Sequence, residues 1–272
     1  MLSRMHRLLV PLVVTAAVLL SATCSMGGAP KPPPMESPPM ESPETESPET
    51  ESPETESPET ESPETPETES PQPAESEARY RVTFAATWSA VTHPTNFPDG
   101  PHFSGLIGAT HDADTRIWQL GELASDGIES MAETGGKMKL LAEIDDLIAA
   151  GTAHGKLSGG GLSTPPSSVR MEFDIVSSHP YVTLVSMLAP SPDWFVGVSA
   201  LSLVAEDGTW KEREKVMLRL YDAGTDDGAR FMSGNADSDP PQPISRLSSE
   251  SRDTDFTDGA PAVGTFLFEK LP

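Results

Sequence analysis

RYRVTFAA, Arg79 to Ala86, alternates in character along its length. Tyr80, Val82 and Phe84 fall on one side of an extended chain and Arg81 and Thr83 on the other, the period-two pattern of a strand with one buried face. Comparable runs return at Ser168 to Val176, Tyr181 to Leu188, Phe195 to Val204, Lys215 to Tyr221 and Val263 to Leu271. Turn residues such as EDGTW at Glu206 to Trp210 separate several of them. Hairpin-like spacings of this kind predict a mainly β chain, folded as an antiparallel β-sandwich.

One segment departs from the pattern. Lys137 to Ala150 places Leu140, Leu141, Ile144, Leu147 and Ile148 on a helical stripe, and Gly151 follows where a C-terminal cap belongs, so at least one α-helix is inserted among the strands. GKLSGGGLSTPPSS (Gly155 to Ser168) and the long polar stretch from Ser233 to Pro261 read as loops. Neither contains the Gly-x-Gly-x-x-Gly or Walker pattern of a phosphate-binding turn.

Upstream of the first strand the composition changes. From Pro30 to Ala78 the chain is almost entirely Pro, Glu, Ser and Thr, with SPETE recurring every five residues. With almost no apolar side chains to bury, nothing offsets the entropy of ordering such a tract, and it reads as a disordered tether. Met1 to Ala78 carries 15 acidic and 3 basic residues, leaving 27 acidic and 15 basic in the 194 residues from Arg79 onward. That balance argues against a nucleic-acid partner and is compatible with cations.

The first 25 residues read as an export signal. Arg4 and Arg7 form a basic start, and Leu8 to Leu20 is apolar but short for a membrane span. Cys24, the one cysteine of the chain, stands in SATC where a bacterial lipoprotein carries its lipid, although Thr23 replaces the usual Gly, Ala or Ser and Leu20 lies one place too early. Lipidation of Cys24, with membrane attachment, and simple secretion after nearby cleavage both follow from this stretch. The expected organisation is a signal over residues 1–25, a tether over 26–78 and a folded domain without disulfides over 79–272.

The specific signatures of catalysis are missing from the sequence: it has no Gly-x-Ser-x-Gly elbow and no His-Glu-x-x-His. His93, His102 and His111 recur at nine-residue intervals, flanked by Pro, Phe and Gly, without the ligand spacing of a zinc site. They read as imidazoles that hold turns. Acidic residues offer more chemistry. Asp193 lies in APSPDWF, and Asp222 and Asp226 lie in LYDAGTDDG. Gathered by folding, with backbone carbonyls and water, three carboxylates would suit a hard cation such as calcium, and Gly224 supplies the tight turn their four-residue step demands. Aspartate is equally favoured in turns for its bonds to nearby backbone amides, so spacing alone leaves calcium and turn chemistry level. An EF-hand at Asn235 fails, because Pro240 stands where that loop needs Gly and Arg246 where it needs Glu.

Four separated strings occur in order: FAATWSAVTHPTNFPDGPHFSGLIGATH, IWQLGELASDGIESMAETG, MLAPSPDWFVGVSALSL and LYDAGTDDGARF. Together they resemble the spondin domain, an N-terminal module of animal matrix and adhesion proteins, over nearly all of Arg79 to Asp237. The resemblance implies a C2-like antiparallel β-sandwich and a calcium ion held by the residues matching Asp193, Asp222 and Asp226. It implies no role for Asp227. Unlike the animal members, the chain lacks disulfides and thrombospondin repeats, so matrix and integrin binding do not carry over. The resulting expectation is an exported, calcium-binding, non-enzymatic surface module with an extracellular protein or glycan as ligand. An extracytoplasmic hydrolase using the His- and Asp-rich segments, and a purely structural envelope protein, are the alternatives.

Overall fold

The computed structural model describes residues 75–247, 254–257 and 259–272. The expected signal with Cys24, and the tether up to residue 74, lie outside the described residues. Among the described residues no helix is long and apolar enough to cross a membrane.

The elements run β1 (Glu77–Ala86), β2 (His102–Phe103), β3 (Ile107–His111), α1 (Asp126–Thr134), α2 (Met138–Ala150), β4 (Ala153–Ser158), β5 (Ser168–Val176), β6 (Tyr181–Ala189), β7 (Trp194–Ser202), β8 (Arg213–Leu218), β9 (Leu220–Asp222), β10 (Ser245–Arg246) and β11 (Gly264–Lys270). One sheet has the order β5-β1-β11-β8, and the other β10-β9-β7-β6-β3-β4 with β2 alongside β6. The strand pairs are antiparallel. A mainly β, antiparallel sandwich with inserted helices is therefore what the chain forms.

Two cores hold it together. The alternating residues Tyr80, Val82 and Phe84 are fully buried between the sheets, where they meet Leu184, Leu188, Trp194, Phe266 and Phe268. Phe84 packs edge-on against Phe103 at 4.9 Å and Phe266 at 5.2 Å, a favoured aromatic arrangement. On its other face the larger sheet carries the helices. Ile128 and Met131 of α1, with Leu140 and Ile144 of α2, pack on Ile107, Ala109, Val185 and Phe195. Because β6 lies between the two cores, it is buried from Val182 to Ala189 and reads as a continuous apolar run.

Several sequence expectations shift at their edges. The strand expected over Lys215 to Tyr221 is two strands in different sheets, with Arg219 at the corner between β8 and β9. Its guanidinium fixes that corner by donating to Ala260 O at 2.5 Å. The segment expected as a loop from Gly155 onward starts inside β4, whose backbone pairs with β3. Similarly, β10 interrupts the expected loop over Ser233 to Pro261 and pairs with β9. The ordered chain also reaches upstream of Arg79, since β1 begins at Glu77 and Glu75 O accepts a hydrogen bond from Trp210 Nε1 at 3.1 Å.

Candidate functional site

Asp193 ends the turn between β6 and β7, and Asp222 closes β9. In the β7–β9 register Trp194 lies opposite Asp222, so two adjacent strands deliver their aspartates to the same end of the sheet. Ser191 Oγ accepts from Trp194 N at 3.2 Å and sets the approach, while Ala223 N donates to Asp193 O at 3.1 Å. The chain then reverses at Gly224, whose φ of 75° is in the left-handed region. A Cβ at this position would lie 2.1 Å from Gln242 O, so glycine is required both for conformation and for space.

That reversal aims the next amides back at the carboxylates. Thr225 N and Asp226 N donate to Asp193 Oδ2 at 2.9 and 3.3 Å, and Gly224 N donates to Asp222 Oδ1 at 2.9 Å. Asp226 accepts from Gly228 N at 2.6 Å and from Ala236 N at 3.1 Å. Relative exposures of Asp193, Asp222 and Asp226 are 0%, 3% and 4%, so these carboxylates are withdrawn from solvent and supported by backbone dipoles.

The three aspartates thus lie buried on two adjacent turns, linked through the amides of the Gly224 reversal. Their oxygens are hard donors, matching calcium by ligand type better than zinc or copper. As placed, though, each carboxylate caps backbone amides, and among the described residues no three Asp, Glu, His or Cys side chains stand close enough to hold a metal ion. The donor set fits calcium. Its closing onto an ion would require the carboxylates to draw together.

Two further acids, Asp227 and Glu133, belong to this neighbourhood, and the sequence pointed to a role for neither. Asp227 accepts from Ser238 Oγ at 2.6 Å, while its own amide donates to Ala236 O at 2.8 Å, tying the turn to the segment after it. Glu133, in the last turn of α1, has its carboxyl pushed up by burial. The Thr225 hydroxyl pulls it the other way, and the charges of Glu129, Asp226 and Asp237 raise it further. Helical capping could have pointed to α1, because Ser125 precedes it and Gly135 follows.

The family described as Spondin_N matches residues 78–257, an interval that includes all three aspartates. Spondin-2 of Rattus norvegicus is 34% identical over 181 residues, covering 64% of this chain and 54% of that protein. Spondin-2 of Homo sapiens is 34% identical over 185 residues, covering 65% and 55%. Spondin-1 of Gallus gallus is 33% identical over 177 residues, covering 63% of this chain and 22% of its own length. The chain belongs to the Spondin_N family. It spans about half the length of the Spondin-2 proteins and about a fifth of Spondin-1.

Elsewhere in this spondin domain the histidines do structural work. His111 is fully buried in β3, with Nδ1 2.7 Å from Asp112 O and Nε2 2.8 Å from Thr183 Oγ1. A neutral ring satisfies both, its Nδ1–H donating to the carbonyl and its Nε2 accepting from the hydroxyl. His93 is likewise buried, between Thr92 Oγ1 at 2.9 Å and Pro261 O at 3.1 Å. Burial holds both imidazoles below their ordinary value. His102 is exposed at β2, with Nδ1 2.9 Å from Gly100 O.

Proposed function

We propose that this spondin domain is an exported, non-enzymatic binding or adhesion module, with a structural calcium ion held by Asp193, Asp222 and Asp226. The observation carrying the reading is that three buried aspartates flank the Gly224 reversal, whose amides bond to two of them, all inside the family match. A cation there would relieve the repulsion among the carboxylates and fix the mouth of the β6–β7 and β9 turns, steadying the surface around them. The non-enzymatic part rests on the burial of the histidines: His93 and His111 are closed off from solvent, so no substrate reaches either ring. Export rests on the basic and apolar start of the chain, and attachment is assigned to Cys24.

Two measurements test these assignments. Thermal melts in calcium chloride should rise linearly with the logarithm of free calcium above the dissociation constant, by about 2.7 kcal/mol of stability at a hundredfold excess. Superimposed melts in calcium and in chelator would sink the calcium assignment. Cys24→Ser should move the protein from the membrane fraction to the soluble fraction, because the acyl chains supply the anchoring free energy. Unchanged fractionation would refute lipid attachment at this residue.

A further inference from the structure

Beside the helix layer, which packs over β3, β4, β6 and β7, the larger sheet carries an open groove of about 310 Å³ on the side of β9 and β10. That volume lies at the small end of ligand sites. Arg116, from the segment after β3, and Arg246 of β10 line it, and both are exposed. Neither forms an ion pair among the described residues, whereas Arg79, Arg81, Lys156, Lys211 and Lys270 all do. Arg116 is held at the rim by donating from Nη1 to Ala113 O and Thr115 O at 2.5 and 2.9 Å. In a part of the chain with 27 acidic and 15 basic residues, this groove is lined, among the described residues, by two guanidiniums without carboxylate partners and by no acid.

The floor adds a second observation. Trp118 and Tyr221 meet at 4.8 Å between ring centroids, and Tyr221 lies opposite Arg246 in the β9–β10 register. Beside them Ala200 has φ 48°, a left-handed conformation costing a non-glycine residue about 1–2 kcal/mol, next to the irregularity in β6–β7 pairing. Strain and bulges of this kind gather at binding sites, where they re-aim the chain. Only Trp118 of the lining is buried, so the groove is shallow and lacks the deep apolar pocket that anchors a protein partner's side chain. A polyhydroxylated chain bearing carboxylates matches it better: guanidinium forks grip carboxylates, and the Tyr221 hydroxyl and Gln119 amide bond to hydroxyls.

We propose that this groove binds an acidic polysaccharide, with Arg116 and Arg246 pairing its carboxylates over the Trp118–Tyr221 floor. The proposal rests on the binding-module reading and is independent of the calcium turn. It is tested by calorimetric titration of the full chain with oligogalacturonate in low salt, with neutral dextran and a glutamate-rich peptide as comparators. Oligogalacturonate should bind saturably, about tenfold more weakly to Arg246→Ala, more weakly still to Arg246→Glu, and progressively less as salt rises; dextran should not bind. Arg246 makes no side-chain hydrogen bond among the described residues, so its variants keep the parent's melting temperature, which is checked alongside. The proposal is overturned if oligogalacturonate does not bind, if binding is the same in Arg246→Ala and Arg116→Ala as in the parent, or if the peptide competes for the groove more tightly than the glycan. In the last two cases the module reading survives while the assignment of this groove to acidic glycans does not.

Discussion

Gly224 and Asp193 depend on each other: the left-handed turn at one aims the amides of Thr225 and Asp226 at the carboxylate of the other. Gly224→Ala should therefore cost more than the ~1–2 kcal/mol that a left-handed backbone costs a non-glycine residue, because its Cβ also collides with Gln242 O. A urea midpoint within error of the parent would contradict this geometry. His111 offers a pH test. Burial lowers its folded value, so on acidification the unfolded chain takes up the proton first. The stability contributed by the neutral ring is complete above about pH 6.5 and is lost as pH falls below that value toward the lowered folded one. His93 acts in the same direction, whereas Glu133, raised by burial, acts in the opposite one. The difference between the parent and His111→Gln isolates the ring, and urea midpoints should show it narrowing from pH 7.5 to pH 5.5. A pH-independent difference would mean that His111 is not held neutral.

At the scale of elements, the helix layer is part of the core rather than an appendage. Ile144→Ala in α2 should cost about 2–5 kcal/mol, as at any closed hydrophobic site, whereas the exposed Met138 at the start of the same helix should tolerate Ala with little change. Equal, small effects in urea denaturation would place α2 outside the cooperative unit. α2 could be anticipated because its stripe is long, and β1 because only one of its faces is buried. β3 could not, since IGATH is buried on every residue and shows no alternation. α1 has nine residues and few large apolar ones, too short a pattern to stand out. The aspartates of the turn were readable as residue types in suggestive positions. Glu133 was not, because what brings it near Asp226 is the packing of α1 against the larger sheet, across more than ninety positions of sequence.

For the molecule as a whole, the folded unit begins before the alternating pattern does. A chain beginning at Arg79 loses the Trp210 Nε1 bond to Glu75 O, the Lys270–Glu75 ion pair and the β1–β5 pairs of Glu77 with Val176 and Ala78 with Ile175. Relative to a chain beginning at Glu75 it should melt a few degrees lower, consistent with about 1–2 kcal/mol in lost hydrogen bonds. Coincident melts would show that these contacts contribute nothing. At this scale the proposed calcium ion would complete a turn that the sandwich, with its two cores, presents. Calorimetric titration of calcium into the protein, beside Asp193→Asn and Asp222→Asn, tests it most directly. One calcium should bind per chain, weakened in both variants, and calcium-free Asp222→Asn should be at least as stable as the calcium-free parent, because one of three buried charges is gone while the shape is nearly kept. No heat of binding, with chelator leaving the parent unchanged, would contradict it and leave the three aspartates as turn formers alone.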